Sequence, residues 1–500
     1  MKKRALLHAS NNTGIVDFAG FLFAKGYELI GAGSTYKLLI ENKVPVLNVY
    51  ELTGHREILS GKINTLHPNI YGGILANRGN ENDLTEILDH NIGLIDLVVC
   101  NMYSVKGEIL NEAPHEDIIE AISVERSSLI RASAKNYAFV TTVVDPLDYY
   151  KVLSDLEEEG EIRKETRKIL AAKAFRYTAS YDAVAATYLT EEEYPEKLTL
   201  SYEKVRETIY GENPHQTGAI YEEVAPKRFI ASAERLQGDE PNFNNTNDAD
   251  LALSLVSEFL EPTAVFVKHL NPIAVSSNKD LSISAGHFTK ETVYGGIIAF
   301  NRAFTPPCAE KIKDSKIDLV LAPSFEKEAL EILKENKKLI VLSIETSYKM
   351  RSKKIFGIEG GLLIQEPDIN HNIDLNVVTT REPSKEEVDS CLFAETIAKY
   401  AKSTAVIITD GKRTLGIGTG QANRKKALRM AFSEAGLLSR GAVMALDSYI
   451  GEIETIKEAS ERGITCIIQP GNFIDSDEIV KACNEYGISM IFSGVRHFRH

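Results

Sequence analysis

The sequence predicts an α/β protein built from two or more domains, on three observations. Short apolar runs recur along the whole chain, each closes on Gly, Asn, Asp or Pro, and helical patterns fill the gaps between them. At 500 residues, 43% of them hydrophobic, the chain exceeds what a single core holds.

The runs read in order as buried strands: RALLHAS from Arg4, YELIGAG from Tyr27, IDLVVCNMY from Ile95, FVTTVVDP from Phe139, TAVFVKHLNP from Thr263, GGIIAFN from Gly295, IDLVLAPS from Ile317, LIVLSI from Leu339, TAVIITDG from Thr404, ITCIIQPG from Ile464 and ISMIFSG from Ile488. Between them lie helical spacings such as Phe18, Phe21 and Leu22, and the stretch from Lys425 to Leu438, where Ala427, Leu428, Ala431 and Ala435 share a face. The charged, strand-poor segment from Thr190 to Arg206 is the best boundary and divides the chain into 1–198 and 199–500. No sequence repeat is visible, and the acidic run Glu157 to Glu159 reads as a solvated helix end.

Charge and cysteine usage exclude several function classes. With 57 basic against 71 acidic residues the formal charge is −14, a surface that repels phosphate backbones, so no nucleic-acid partner is expected. The five cysteines, Cys100, Cys308, Cys391, Cys466 and Cys483, are odd in number and form no CxxC pair, which fits buried thiols in a reducing compartment and no structural zinc. The apolar stretch after MKKR is too short for a signal segment, and no run reaches the ~20 residues of a membrane span. A soluble, cytoplasmic protein without a membrane partner is the expectation.

In the N-terminal half, Ser10-Asn-Asn-Thr-Gly14 and Gly31-Ala-Gly-Ser-Thr35 each follow a strand and precede a helix, where free backbone N–H groups and small hydroxyls converge. Together they suit one phosphate, although such turns also serve only to reverse the chain. Lys62-Ile-Asn-Thr-Leu-His-Pro68, Asn101-Met-Tyr103 and Arg131-Ala-Ser-Ala-Lys-Asn136 set polar groups beside apolar runs. On chemistry alone Lys135 could equally be a solvated helix lysine and Tyr103 a core tyrosine.

In the C-terminal half, Tyr210-Gly-Glu-Asn-Pro-His-Gln216 is a turn dense in hydrogen-bonding groups. Lys268 and His269 end a strand that is expected to break at Asn271-Pro272. An imidazole takes a proton near neutrality while an adjacent ammonium stabilises developing negative charge; an isolated pair of this kind is also a common surface feature. Gly295-Gly296 and Gly360-Gly361 adjoin strands read as buried, as expected where a ligand or another backbone approaches closely. Gly416-Ile-Gly-Thr-Gly-Gln421 has the wrong third spacing for a dinucleotide site. Arg496-His-Phe-Arg-His500 continues a strand without a linker, so its two arginines and aromatic could clamp a phosphate and stack on a planar heterocycle.

Taken in order across essentially the whole chain, these segments resemble the AICAR transformylase/IMP cyclohydrolase family. The resemblance rests on TLHP from Thr65, NxY ending at Tyr103, RAxAKN, YGENPHQ, LQG followed by Asn244-Asn245 and Asp248-Ala-Asp250, the KHxNP turn, GGIIAFNR, GIGxGQxxR ending at Arg424, IQPG and RHFRH. It implies an N-terminal methylglyoxal-synthase-like domain carrying the cyclohydrolase and a C-terminal transformylase of two cytidine-deaminase-like subdomains. It also implies a homodimer with transformylase sites at the interface, and 10-formyltetrahydrofolate as co-substrate with no metal. By the same resemblance Lys268 and His269 are catalytic in formyl transfer, with Tyr210, Asn245, Gly295, Arg424, Arg496 and Phe498 around substrate. By the resemblance Tyr103 and Lys135 match catalytic residues of the cyclohydrolase, and Ser10, Gly33, Ser34, Thr35, Thr65 and, conservatively for an arginine, Lys62 match its substrate-binding positions. The substrates implied are AICAR, the formylated product FAICAR with IMP, and the folate.

Departures concentrate in the first half. The family's lysine before TLHP is Asn64, its Asp-Ile-Gly-Gly-Pro is Ser123-Val-Glu-Arg-Ser127, and its Ser-Val-Ser-Asp-Lys-Thr-Gly is His8-Ala-Ser-Asn-Asn-Thr-Gly14. Each lost charged hydrogen bond removes about 1.5–3 kcal/mol, which predicts a weakened cyclohydrolase. In the second half Ile209, Ile273-Ala274, Thr404 and Tyr449-Ile-Gly-Glu452 depart, which keeps open a paralogue acting on an AICAR analogue or binding nucleotide without turnover. A zinc deaminase is excluded by the missing HxE and PCxxC ligands, since Cys308 has no partner two residues on.

Overall fold

The computed structural model describes residues 2–223, 230–288, 294–347, 353–369, 375–471 and 476–500. It divides into two compact units: the first runs to Glu203 and takes in Glu223, and the second begins at Lys204 and holds the rest of the chain.

The first unit is a five-stranded parallel sheet, ordered β3-β2-β1-β4-β5, from β1 (Arg4–His8), β2 (Glu28–Gly31), β3 (Leu47–Asn48), β4 (Leu97–Cys100) and β5 (Thr141–Val143). Its helices are α1 (Ile15–Ala24), α2 (Gly33–Glu41), α3 (Val49–Thr53), α4 (Pro68–Leu75), α5 (Glu81–Asp89), α6 (Val105–Leu110), α7 (His115–Glu120), α8 (Val124–Lys135), α9 (Tyr149–Glu158) and α10 (Lys164–Leu189). The strands read as continuous apolar runs because both faces are covered. Alternation sends Ala5, Leu7, Leu97 and Val99 into one core with Phe18 and Leu22 of α1 and Val152 of α9. Leu6, Ile30 and Val98 go to the other, with Ile70 of α4, Leu129 of α8 and Ala174 of α10. The strand order reverses about β1, so the loops after β1, β2 and β4 meet at one edge, where open parallel sheets bind ligands.

In the second unit β6 (Tyr202–Thr208) and β7 (Gly218–Glu223) pair with each other ahead of one twelve-stranded mixed sheet. That sheet contains one order of elements twice. The first copy is β8 (Glu234–Gln237), α11 (Phe243–Val256), the hairpin β9 (Thr263–Lys268) and β10 (Asn271–Ser277), α12 (Leu281–His287), β11 (Ile297–Phe300), α13 (Pro306–Ile312), β12 (Leu319–Ala322), α14 (Lys327–Leu333) and β13 (Ile340–Ser343). A separate hairpin, β14 (Lys354–Ile358) and β15 (Gly361–Gln365), follows. The second copy is β16 (Asn376–Val377), α15 (Lys385–Ala398), β17 (Val406–Asp410) and β18 (Arg413–Gly418), α16 (Arg424–Ala435), β19 (Val443–Leu446), α17 (Ile453–Glu461), β20 (Cys466–Gln469), α18 (Ser476–Tyr486) and β21 (Ser489–Phe492).

The spatial order β16-β21-β20-β19-β17-β18-β10-β9-β11-β12-β13-β8 reads the same from either end in these terms, with β10 and β18 joined at the centre. This is the two-subdomain layout expected of the C-terminal region. α11 and α15 share a core on one face, while the other face holds two cores, one under α12 to α14 and one under α16 to α18. The sequence shows no repeat because burial constrains polarity and size at these positions, and TAVFVK and VIITD meet that demand with different residues.

One strand expectation is corrected. Gly360 to Gln365 does not lie against a buried strand: among the described residues β15 pairs only with β14, and Leu363 is 57% exposed. An apolar run fixes strand tendency without fixing what covers it.

Candidate active sites

Lys268 and His269 do not end the secondary structure. β9 turns into β10 through His269 and Leu270 alone, with Lys268 opposite Asn271. Both turn residues have positive φ, 54° and 58°, the mirror-image geometry that suits a right-twisted hairpin and that Asn-Gly normally supplies. The expected break at Asn271-Pro272 is therefore a correction. β10 runs through it, and the register shift after Pro272 accommodates the missing N–H.

Neighbours impose this conformation on two side chains that disfavour it. The buried Asp248 of α11 accepts the His269 N–H at 3.0 Å and the Leu270 N–H at 2.6 Å. Arg499 donates to the carbonyls of Leu270 at 3.1 Å and Tyr400 at 2.6 Å, and Asn271 Oδ1 accepts from the Lys402 N–H at 3.0 Å. Lys268 Nζ donates to the Tyr294 carbonyl, immediately before Gly295. The His269 ring is exposed. A Cβ on Gly295 (φ 78°) would lie 2.8 Å from Asp318 Oδ2, and one on Gly296 (φ 93°) 2.7 Å from the Phe266 ring, so this turn excludes any side chain.

The same helix α11 carries further candidates. Asn242 and Asn245 cap its first turn reciprocally at 2.8 and 3.4 Å, and Asn242 Nδ2 donates to the Tyr210 hydroxyl at 3.2 Å. Asn245 and Asp248, three apart, share a face. Arg424, the first residue of α16, donates to the Ser448 carbonyl at 2.7 Å and pairs with Asp447 at 3.5 Å; burial lowers its pKa from the ordinary guanidinium value. The Asp447 carbonyl in turn accepts the His497 N–H at 3.0 Å, which sets Arg424 beside the carboxyl terminus.

There the side chains alternate. Arg496 and Phe498 are exposed, the guanidinium 4.3 Å from the ring centroid, while His497 is buried and bonded to Asp368 at 2.7 Å. Arg499, read with Arg496 as a phosphate clamp, is corrected by this geometry, since it grips backbone carbonyls. Asp248 and Asp447 carry no role in the sequence reading. Asp248 stood in a quoted motif, but its partners lie 21 and 22 residues on, beyond any local spacing rule.

In the first unit Asn101 Oδ1 accepts the N–H groups of Ser10 and Asn11, both at 2.7 Å, and the Ser10 hydroxyl at 2.9 Å. Thr35 Oγ1 accepts the Ala9 N–H at 2.9 Å and lies 3.2 Å from Asn12 Oδ1, so this buried hydroxyl ties the two small-residue loops together. Gly33 (φ 55°) and the exposed Ser34 open α2 beside His8. Tyr103, 54% exposed, closes the far side. Beneath it lies Arg126, its guanidinium 4.5 Å from the ring centroid, 3.3 Å from the Asn101 carbonyl and 3.3 Å from His8 Nε2. Burial and the Arg126 charge push the His8 pKa down to about 3, so its ring is neutral.

Other expected residues stand apart. The Thr65 hydroxyl donates to Glu125 at 2.7 Å, and Glu125 also takes the N–H groups of Asn64, at 2.8 Å, and Thr65. Lys62 pairs in solvent with Glu120 at 2.7 Å. Lys135 is exposed in the last turn of α8, about 14 Å along the axis from Arg126 at ~1.5 Å per residue. The helix thus carries Lys135 and the Tyr103 partner at opposite ends.

A family model described as AICARFT/IMPCHase bienzyme matches residues 133–434, and one described as MGS-like domain matches residues 14–126. A protein named bifunctional purine biosynthesis protein PurH from Bacillus cytotoxicus is 44% identical over the full length of both chains, and its namesake from Bacillus cereus is 43% identical, again over all of both. The chain belongs to the AICARFT/IMPCHase bienzyme family. A solved structure described as the crystal structure of ForH is 32% identical over 38% of this chain and all of its own, with a TM-score of 0.35, too low to bear on the fold.

In the second unit Asp248 and Arg499 shape the His269–Leu270 turn. The first unit fills the Asn64–Thr65 amides with the Glu125 carboxylate.

Proposed function

We propose that the chain carries out two consecutive steps of de novo purine biosynthesis. Residues 199–500 transfer the formyl group of 10-formyltetrahydrofolate to AICAR, and residues 1–198 close the product, FAICAR, to IMP. The observation that carries this reading is the His269–Leu270 turn, clamped by Asp248 and Arg499 at a folded carboxyl terminus, in a chain 44% identical to a named bifunctional relative.

The AICAR amine is a poor nucleophile because its lone pair is delocalised into the ring, so positioning and proton removal must supply the rate. His269, exposed at the turn, takes that proton as nitrogen attacks the formyl carbon. The intermediate collapses by breaking the bond to the folate nitrogen, and Lys268 stabilises the developing charge and helps protonate the leaving nitrogen. Arg496 over Phe498 offers a cation for the ribotide phosphate and a face for a planar ring; Arg424, Tyr210, Asn245 and Gly295 complete the substrate site. In the first unit the carboxamide nitrogen attacks the formyl carbon and water leaves, with Tyr103 beside the oxyanion.

The family resemblance supports a homodimer, a cytoplasmic setting and chemistry without a metal. Among the described residues no helix is long and apolar enough to cross a membrane. The test is to assay the steps separately. Protein given AICAR and 10-formyltetrahydrofolate is expected to release tetrahydrofolate, and protein given preformed FAICAR to yield IMP. AICAR binding without turnover contradicts the first assignment and favours a non-catalytic paralogue.

A further inference from the structure

Arg126 stands where the family carries glycine, and its surroundings leave its charge unanswered. The side chain is 6% exposed, and among the described residues its partners are the Asn101 carbonyl, the His8 ring and the Tyr103 face, none of them an anion. The neighbouring carboxylate of Glu125 is turned away onto Asn64 and Thr65. A buried guanidinium without a counter-ion is costly and is retained where something else supplies the anion.

Its place is equally informative. Arg126 reaches the carboxyl ends of β1 and β4, under the loops held by Asn101 and Thr35, at the reversal of strand order where phosphates bind open parallel sheets. His8 lies beside it, 3% exposed, with no partner for Nδ1 among the described residues. Its neutral ring cannot serve as the cation, and Asn64 has replaced the family's lysine.

We infer that Arg126 is the cationic receptor for the phosphate monoester of the ribotide in the first unit, in place of the lysines absent at positions 12 and 64, while Glu125 withdraws the 64–65 amides from ligand binding. The inference deepens the cyclohydrolase assignment and rests on it. The pocket has been rebuilt around a new cation.

The test uses the full-length protein. R126Q is expected to raise the dissociation constant of IMP and the KM for FAICAR about ten-fold or more, the loss of one charged hydrogen bond, and to abolish competition between inorganic phosphate and IMP. Its transformylase turnover stays unchanged. R126K, which keeps the charge, is expected to recover part of the binding. Unchanged IMP affinity in R126Q, or tighter binding there, overturns the inference, and so does wild-type IMP affinity in the uncharged R126M where R126Q is misfolded. Ring closure by wild type with R126Q unaffected sinks the inference alone. Phosphate and IMP binding through Arg126 without ring closure removes the assigned activity and keeps the inference, and wild type that binds neither ligand removes both.

Discussion

His269 and Leu270 occupy a backbone region that L side chains enter at an energetic disadvantage, and Asp248 is the group that holds them there. Asp248→Asn keeps the size and removes the charge from two backbone contacts, so a loss of roughly 1–3 kcal/mol is expected, with formyl transfer falling more than ten-fold; an unchanged rate in urea-matched samples would remove the clamp from the mechanism. His8 gives a pH signature. Its folded value of about 3 lies below the ordinary 6.5, so the unfolded chain takes the proton first as pH falls through that window, and the first unit loses stability there. Unfolding midpoints from pH 7 to 4 should fall more steeply in wild type than in His8→Asn, and equal slopes would place the neutral ring in doubt. At this scale Lys268 and His269 were readable from adjacency at a strand end, whereas Asp248 and Arg126 act across the fold, through partners no spacing rule links.

Elements were readable where an apolar run stood clear of Gly and Pro. The eleven apolar runs named from the sequence each coincide with a strand, while β10 and β18 went unread because Pro272 and Gly416 to Gly418 look like breaks. β19 closes on Asp447 like its neighbours, and its apolar run was simply not singled out. The glycines of these elements are structural. At Gly296 a methyl group would lie 2.7 Å from the Phe266 ring and 3.0 Å from the Val267 carbonyl, at a φ of 93°. Gly296→Ala is therefore expected to destabilise by about 2–3 kcal/mol, lowering the melting temperature together with formyl transfer; a wild-type melting curve would show that the turn yields. Deleting residues 496–500 removes the Arg499 contact to Leu270 and should abolish formyl transfer while leaving ring closure from FAICAR intact.

At the scale of the molecule, composition foretold more than one core but not the duplicated sheet, because packing fixes polarity and volume at each position and leaves identity free. The boundary drawn at 198/199 from a charged segment and the division after Glu203 differ by a few residues within the same stretch. Motif order across the whole chain identified the family, and the altered residues of the first unit read as losses, whereas only the fold shows that one of them, Arg126, lies against His8. Two units with separate cores predict separable activities, in which substitutions around Lys268 spare the conversion of FAICAR and substitutions at Tyr103 spare formyl transfer.

The central claim is that the Lys268–His269 turn performs formyl transfer. Single-turnover release of tetrahydrofolate, measured on wild type, Lys268→Ala and His269→Ala at saturating AICAR and 10-formyltetrahydrofolate, tests it most directly. Both variants are expected to lose at least a hundred-fold, on the order of one lost proton transfer or charge contact, with wild-type melting temperatures; wild-type turnover in both would contradict the account.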